Sequence, residues 1–142
     1  MRIAILLLAL FVGSFAQAQD VTGLWKTIDD ETGKAKSIVE IFIQDGKLFG
    51  RIDSLIKFDE KDPQRICTVC PGDRKGQKVW GMEILRDMVQ DGNEWEDGTI
   101  MDPKNGKIYD CGLWLSETNP NRLMVRGYVA FFFRTQEWIR VE

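Results

Sequence analysis

Three cysteines are the side chains whose spacing most directly indicates chemistry. Cys67 and Cys70 are three positions apart, and Cys111 follows about forty residues later. A redox-active Cys-x-x-Cys pair uses a helix N-terminus to stabilise its thiolate, whereas residues 71–76 have the composition of a loop. A zinc site needs four ligands, and the sequence offers three cysteines and no histidine. A disulfide in an oxidising compartment needs nothing further, so the sequence favours a structural disulfide.

The pairing within that disulfide is open, because three cysteines allow three single pairings. A bond between Cys67 and Cys70 closes a very short loop and contributes little stability. A bond from either of them to Cys111 closes about forty residues and contributes up to roughly 4 kcal/mol in the chain-entropy model. The thiol left over is a candidate for reaction or for an intermolecular bond.

Arg126 and Tyr128 are the polar pair best placed to bind a ligand. They are two positions apart, so they lie on the same side of a β-strand. Facing a cavity, they could hold a carboxylate or a phosphate through charge-assisted hydrogen bonds. The opposite face of that strand is uniformly apolar and could itself be the side that faces the core, in which case the pair faces water. Alternation alone leaves both orientations open.

Tryptophans are candidates to line an apolar ligand cavity. The sequence has five of them, and Trp80, Trp95 and Trp114 are the candidates for contact with a ligand. The alternative is that the tryptophans fill a small barrel and cover its ends, since side chains can occupy the whole interior of eight strands.

Carboxylates are the remaining candidates for catalysis. They cluster at residues 59–62 and 94–97, but acids a few residues apart on polar turns usually face solvent rather than form a glycosidase pair. Because the sequence contains no histidine, Ser-His-Asp and Cys-His catalysis are excluded. An enzyme built on this chain would use carboxylates or a free thiol, and no cofactor or metal is predicted.

The elements that position these side chains are β-strands, because short apolar runs alternate with turn residues along the chain. The predicted strands cover 22–28, 37–44, 47–56, 79–86, 93–101, 107–115, 122–132 and 133–141. Eight strands at this spacing predict an all-β fold, a single antiparallel up-and-down barrel, in which closure removes the free edges. A turn of helix is the alternative at residues 83–90, and the join between the last two strands is expected to be a bend or bulge.

The N-terminus has the pattern of an export signal. Arg2 precedes an uncharged apolar stretch that ends at Ala18 in a small-residue cleavage site, so residues 1–18 are predicted to be a signal peptide. The stretch is too short to span a bilayer, and no transmembrane anchor is predicted. Its removal leaves residues 19–142 as one barrel domain with 18 basic and 22 acidic residues, a net charge of −4. This acidic chain has no basic patch for nucleic acid, and its expected location is the periplasm or the extracellular space.

Residues 57–78 interrupt the strand pattern. This segment contains ten charged residues, two prolines and the Cys67-x-x-Cys70 pair. Loops of this length are uncommon in small domains and are often functional. We expect a solvated crossover held by a disulfide, and the alternative is a lid or a partner-binding surface.

Three further residues predict how the barrel closes. Gly23 and Trp25 lie in the first strand, and Arg140 lies at the end of the last. Glycine admits a close backbone approach, the indole fills one end of the barrel, and a guanidinium can stack on the indole for about 0.5–2 kcal/mol. Their role is structural and indicates no activity.

Five segments resemble one family across the whole chain after the signal. They are Gly23-Leu24-Trp25, Cys67-x-x-Cys70-Pro71-Gly72, Asp102-Pro103-Lys104-Asn105-Gly106-Lys107-Ile108-Tyr109, Val125-Arg126-Gly127-Tyr128 and Arg134-Thr135-Gln136-x-Trp138-x-Arg140. With them the chain resembles the bacterial uncharacterised-domain family 2147 of small exported proteins. The resemblance implies a lipocalin-like barrel and assigns no catalytic residue, since the family has no settled activity. The segment 130–133 departs from the glycines expected in many relatives.

These observations predict an exported, non-enzymatic barrel. We expect it to bind a small apolar or amphipathic ligand or a partner in the cell envelope. The alternatives are an enzyme that uses carboxylates or a free thiol, and a protein-interaction module that acts through residues 57–78.

Overall fold

Eight antiparallel strands form a closed barrel in the computed structural model, which describes residues 20–55 and 64–141. They are β1 (Gly23–Ile28), β2 (Ala35–Gln44), β3 (Lys47–Leu55), β4 (Glu83–Asp91), β5 (Glu94–Met101), β6 (Ile108–Leu115), β7 (Arg122–Val129) and β8 (Phe132–Arg140). Each strand pairs with the next one in the sequence, and β8 pairs with β1. The predicted up-and-down barrel is confirmed. The predicted signal peptide, residues 1–18, lies outside the described residues, as do residue 56 of the predicted third strand and residues 57–63 of the charged loop.

The fourth strand begins later than the sequence predicted. The expected strand over 79–86 is wrong in its first half, where the chain makes a β-turn instead. The amide of Met82 donates to the carbonyl of Val79 at 3.2 Å, and Gly81 supplies the positive φ, 88°, that the third position of such a turn requires. The turn interrupts the alternation and leaves the side chain of Trp80 49% exposed. The stretch for which a turn of helix was the alternative lies within β4.

The last two strands are joined by a two-residue turn. Val129 pairs with Phe132, and Ala130 and Phe131 form the tip between them. Ala130 has a φ of 50°, a left-handed conformation that hairpin turns usually fill with glycine or asparagine. The departure from glycine therefore leaves a β-hairpin with an aromatic tip.

The two ends of the barrel differ. At the closed end the strands are joined by connections 45–46, 92–93 and 116–121, and residues 20–22 lead into β1 there. At the open end they are joined by connections 29–34, 56–82, 102–107 and 130–131. The largest fully buried side chains include Trp25, Leu48, Met88, Leu113 and Leu123. These fill the closed half of the barrel.

Candidate functional site

The closed end of the barrel is held by Arg140 and Trp25. The guanidinium carbon of Arg140 lies 4.2 Å from the centre of the Trp25 ring. Its two terminal nitrogens donate to the carbonyl oxygens of Thr22 at 3.1 Å and Asp20 at 2.8 Å. A Cβ on Gly23, which has a φ of 116°, would lie 3.5 Å from the same guanidinium. These contacts fix the N-terminal segment across this end, so access to the interior has to come from the opposite end.

A cavity of about 620 Å³ lies inside the barrel at the open end. This volume is within the roughly 300–1,000 Å³ that is typical of small-molecule sites. Its wall is mostly apolar and includes Ile28, Ile52, Leu55, Val79, Ile84, Ile100, Met101, Val125, Val129 and Trp138. Trp138, which is buried, pairs with Leu123 of the closed half and so marks the deep end of the cavity.

Two groups of polar side chains in the cavity wall satisfy one another. The hydroxyls of Thr27 and Ser37 are 2.8 Å apart, and the Thr27 hydroxyl also accepts from the Ser37 amide at 3.1 Å. The indole nitrogen of Trp138 donates to the amide oxygen of Gln136 at 3.2 Å. The amide nitrogen of Gln136 in turn donates to the carboxylate of Asp30 at 3.2 Å. An apolar molecule inside the cavity would therefore leave none of these groups without a partner.

Basic side chains surround the mouth of this cavity. Lys36, Arg65, Lys104 and Arg134 all contribute to its lining. Arg134 is paired with Asp30, with 2.8 Å between Nε and Oδ2. The side chains of the other three make no hydrogen bond or ion pair with any residue in the described part of the chain. We refer to Lys36, Arg65 and Lys104 as the cationic rim.

Two carboxylates at the mouth accept hydrogen bonds from backbone amides of their own turns. The carboxylate of Asp29 accepts from the amides of Glu31 and Thr32 at 2.9 and 3.0 Å, and these bonds hold its pKa below the usual range. The carboxylate of Asp102 accepts from the amide of Lys104 at 2.8 Å. Neither carboxylate lies within ion-pair distance of the cationic rim, although the charge of Lys36 also lowers the pKa of Asp29, and with Arg134 the basic side chains of the lining outnumber these two acids.

The cationic rim is positioned by contact between two loops. Residues 64–79 form a small hairpin in which the amide of Cys67 donates to the carbonyl of Gln77 and Ile66 bridges to Lys78. This hairpin packs on the connection 102–107, where a Cβ on Gly106 would collide with the carbonyl of Val69. Arg65 and Lys104 are thereby held on adjacent loops of the same mouth.

The disulfide joins Cys67 to Cys70, the short pairing among the three that the sequence allowed. Both residues belong to the hairpin at the open end, whereas Cys111 is buried on the inner face of β6. Burial raises the pKa of the Cys111 thiol to about 12. The thiol is therefore protonated at neutral pH and lacks the thiolate that a nucleophile requires.

Arg126 and Tyr128 lie on the outer face of the barrel. Their neighbours Val125 and Gly127 line the cavity, so alternation directs the pair to the opposite side of β7. The guanidinium of Arg126 lies 4.8 Å from the ring centre of Trp114 and 4.2 Å from that of Phe133. Its Nε donates to the Thr135 hydroxyl at 2.8 Å. Of the two orientations that the sequence left open, the structure has the one outside the cavity.

None of the three candidate tryptophans contributes to the cavity. Trp114 stacks on Arg126 outside the barrel, and Trp80 is half exposed on the turn before β4. Trp95 is 6% exposed on the inner face of β5, opposite Leu113 in the closed half. The tryptophan that reaches the cavity is Trp138. The sequence could have identified it, because Trp138 pairs with a buried residue of β7 and therefore lies on the inner face of β8.

The acidic clusters do not converge on the cavity. Residues 59–62 lie outside the described part of the chain. Glu94, Glu96 and Asp97 are on the β4–β5 hairpin at the closed end, where a hydrogen bond with Glu94 raises the pKa of Glu96. Among the described residues, no group of three or more histidine, cysteine, aspartate or glutamate side chains could hold a metal ion. The described residues also contain no helix with the length and hydropathy needed to cross a membrane.

Comparison with known proteins agrees with this architecture. A family model described as "Uncharacterized protein conserved in bacteria (DUF2147)" matches residues 23–140. Among solved structures, the barrel is similar to one described as "Protein HP1028 from the human pathogen Helicobacter pylori belongs to the lipocalin family". The TM-score is 0.72 at 17% identity, over 87% of this chain and 84% of the other. At this identity the likeness establishes the lipocalin-like fold alone. No curated protein sequence matches the chain.

Proposed function

Because the chain belongs to the bacterial family DUF2147, whose description carries no activity, we propose a function from the cavity itself. The barrel binds a small amphipathic molecule, with the apolar part inside the cavity and an anionic end at the cationic rim. The observation that carries this proposal is an apolar cavity of about 620 Å³ whose open mouth is lined by basic side chains.

The wall of the cavity supports an apolar occupant. Ile52, Met101 and Val125 are almost completely buried, and they face space that no other side chain of the described residues fills. The polar pairs Thr27–Ser37 and Trp138–Gln136 of the wall are already hydrogen-bonded. Burial of each methylene group of a ligand would contribute about 0.8 kcal/mol, which is roughly a four-fold gain in affinity.

The mouth supports an anionic end on that ligand. The side chains of Lys36, Arg65 and Lys104 line the cavity and make no hydrogen bond or ion pair among the described residues. A carboxylate or phosphate there would form charge-assisted hydrogen bonds, which are about twice as strong as neutral ones. Long basic side chains can also cover the apolar chain with their methylene groups while the charge stays in water.

The same proposal includes export. A disulfide between Cys67 and Cys70 is compatible with an oxidising compartment, the periplasm or the extracellular space. We therefore take residues 19–142 as the working form of the protein, after cleavage behind Ala18. N-terminal sequencing of the protein secreted by a bacterial host tests this part directly, and retention of residues 1–18 would contradict it.

The ligand class is tested by isothermal calorimetry on residues 19–142 with three homologous series. The series are alkyl carboxylates, alkyl alcohols and alkyl trimethylammonium ions of increasing chain length. We expect affinity to rise about four-fold per added methylene until the cavity is full. At equal chain length, we expect carboxylates to bind best and the cations worst. Affinity that does not depend on chain length would contradict a ligand inside the barrel.

A further inference from the structure

Exposed apolar side chains are concentrated at the open end of the barrel. Of the eleven large hydrophobic residues that are exposed in the described part of the chain, nine lie on strand ends or connections of that end. The two exceptions, Ile43 and Val89, are near the closed end. A concentration of exposed apolar side chains at one end of a domain marks an interaction site.

The centre of this surface is the tip of the β7–β8 hairpin. Phe131 is 98% exposed, Phe132 is 77% exposed and Phe133 is 61% exposed. The tip is held by backbone pairing on both sides, since Val129 pairs with Phe132 and Tyr128 with Phe133. The two outermost rings thus project from a paired β-hairpin, and the folded barrel makes no use of their apolar area.

The charged residues that line the mouth beside this tip are mainly basic, with Lys36, Arg65, Lys104 and Arg134 against Asp29 and Asp102. The cationic rim of Lys36, Arg65 and Lys104 borders the same mouth, with side chains that make no hydrogen bond or ion pair within the described part of the chain. Asp29 and Asp102 are bonded to backbone amides of their own turns. Apolar rings beside this excess of basic side chains match the two layers of an anionic lipid surface, namely acyl chains and phosphate groups.

We propose that the open end of the barrel docks on an anionic phospholipid bilayer. Phe131 and Phe132 enter the boundary between headgroups and acyl chains, and the cationic rim faces the phosphates. The mouth of the cavity then opens onto the membrane surface, so an amphipathic ligand passes between bilayer and barrel without crossing water. A second copy of the chain fits this surface less well, because two open ends in contact would bring one cationic rim against the other.

Sedimentation with phospholipid vesicles tests this docking on residues 19–142. The probes are vesicles of phosphatidylcholine alone and vesicles with roughly one-third phosphatidylglycerol. We expect binding to the phosphatidylglycerol vesicles, and weaker binding as ionic strength rises. In the double variant Phe131→Ser, Phe132→Ser, the affinity for these vesicles should fall by about ten-fold or more. The matched control, Ile43→Ser with Val89→Ser at the closed end, should bind as the wild type does.

Two further measurements separate docking from its alternatives. A fluorophore on Phe131→Cys should shift to the blue when the phosphatidylglycerol vesicles are added, because the tip enters an apolar layer; the buried Cys111 thiol leaves this label specific. An unshifted fluorophore, vesicle binding that survives the double serine change, or a dimer that this change dissolves would each overturn the proposal. Binding of soluble alkyl carboxylates without vesicles is measured on the same variants and should be unchanged. Absence of that binding in the wild type, with vesicle binding retained, would contradict the proposed function and leave the docking intact.

Discussion

Gly106 lies directly against the carbonyl of Val69, at a distance that leaves no room for a Cβ atom. This contact joins the connection between β5 and β6 to the disulfide hairpin of residues 64–79. Each of the two loops carries one member of the cationic rim, Lys104 and Arg65. The spacing of charges at the mouth of the cavity therefore depends on a glycine in a turn.

The first prediction concerns this contact. Gly106 has a φ of 73°, and we expect Gly106→Ala to lower the free energy of unfolding by about 2–4 kcal/mol, through backbone strain and collision together. Gly46→Ala is the matched control, because Gly46 has a φ of 77° and nothing within 4 Å of its Cβ position. The control should lose only about 1 kcal/mol. Chemical denaturation measures both, and equal losses would contradict the close contact.

The second prediction concerns the cationic rim. Replacing Lys36 and Lys104 together by glutamate should weaken the binding of an alkyl carboxylate by about ten-fold or more, since two charge-assisted contacts become repulsive. Lys26→Glu makes the same kind of charge change on the outer face of β1 and should have little effect. Calorimetry on the three proteins provides the comparison. An equal effect of the control would show that the response is to net charge and not to the rim.

The third prediction concerns Arg126, which stacks between Trp114 and Phe133 outside the barrel. We expect Arg126→Met to lower the free energy of unfolding by about 1 kcal/mol, through loss of stacking and of the bond to Thr135. Affinity for alkyl carboxylates should be unchanged. If the carboxylates bind more weakly while the neutral alcohols bind as before, the anionic end of the ligand contacts Arg126. The proposed position of that end at the cationic rim would then be wrong.

The fourth prediction is a dependence of stability on pH that arises from Cys111. The thiol has a reference pKa of 9.0 and burial raises it to about 12, so the unfolded chain releases the proton at lower pH than the folded chain. The stabilising contribution is complete below pH 9 and is lost as pH rises from about 9 to 12. Denaturation of wild type and Cys111→Ala across this range isolates the contribution. The difference should shift by up to about 1.4 kcal/mol per pH unit, and a constant difference would contradict the burial.

The strands could be predicted because their apolar residues alternate between strong turn signals. The Asp45-Gly46 turn falls between β2 and β3, and Trp25 and Arg140 meet where the closing strands pair. The exception at β4 has a local cause, since Gly81 makes a β-turn that alternation does not reveal. The family was recognisable for a related reason, because the matching segments include two connections at the open end, the β1 and β8 segments that meet at closure, and one segment of β7.

The candidate site was less accessible to sequence reasoning. Alternation groups Arg126 with Tyr128 but does not say which face of β7 is inside, and the closed barrel decides this through all eight strands. The disulfide partner depends on which loops meet in space, and Cys111 is on the barrel wall. The cationic rim combines residues from three separate connections or strand ends, and no spacing in the sequence relates Lys36 to Lys104.

The central claim is that the open cavity holds an amphipathic molecule. Gly127 lines this cavity, and its Cβ position has ordinary contacts of 3.7 Å or more, so Gly127→Leu fills the space without a backbone collision. Tyr128→Leu changes the outer face of the same strand and serves as its control. All three proteins are incubated with envelope lipid extract and examined by native mass spectrometry. We expect wild type and Tyr128→Leu to retain the same small amphiphile and Gly127→Leu to lose it. The absence of any retained molecule on the wild type, or equal retention by all three proteins, would contradict the claim.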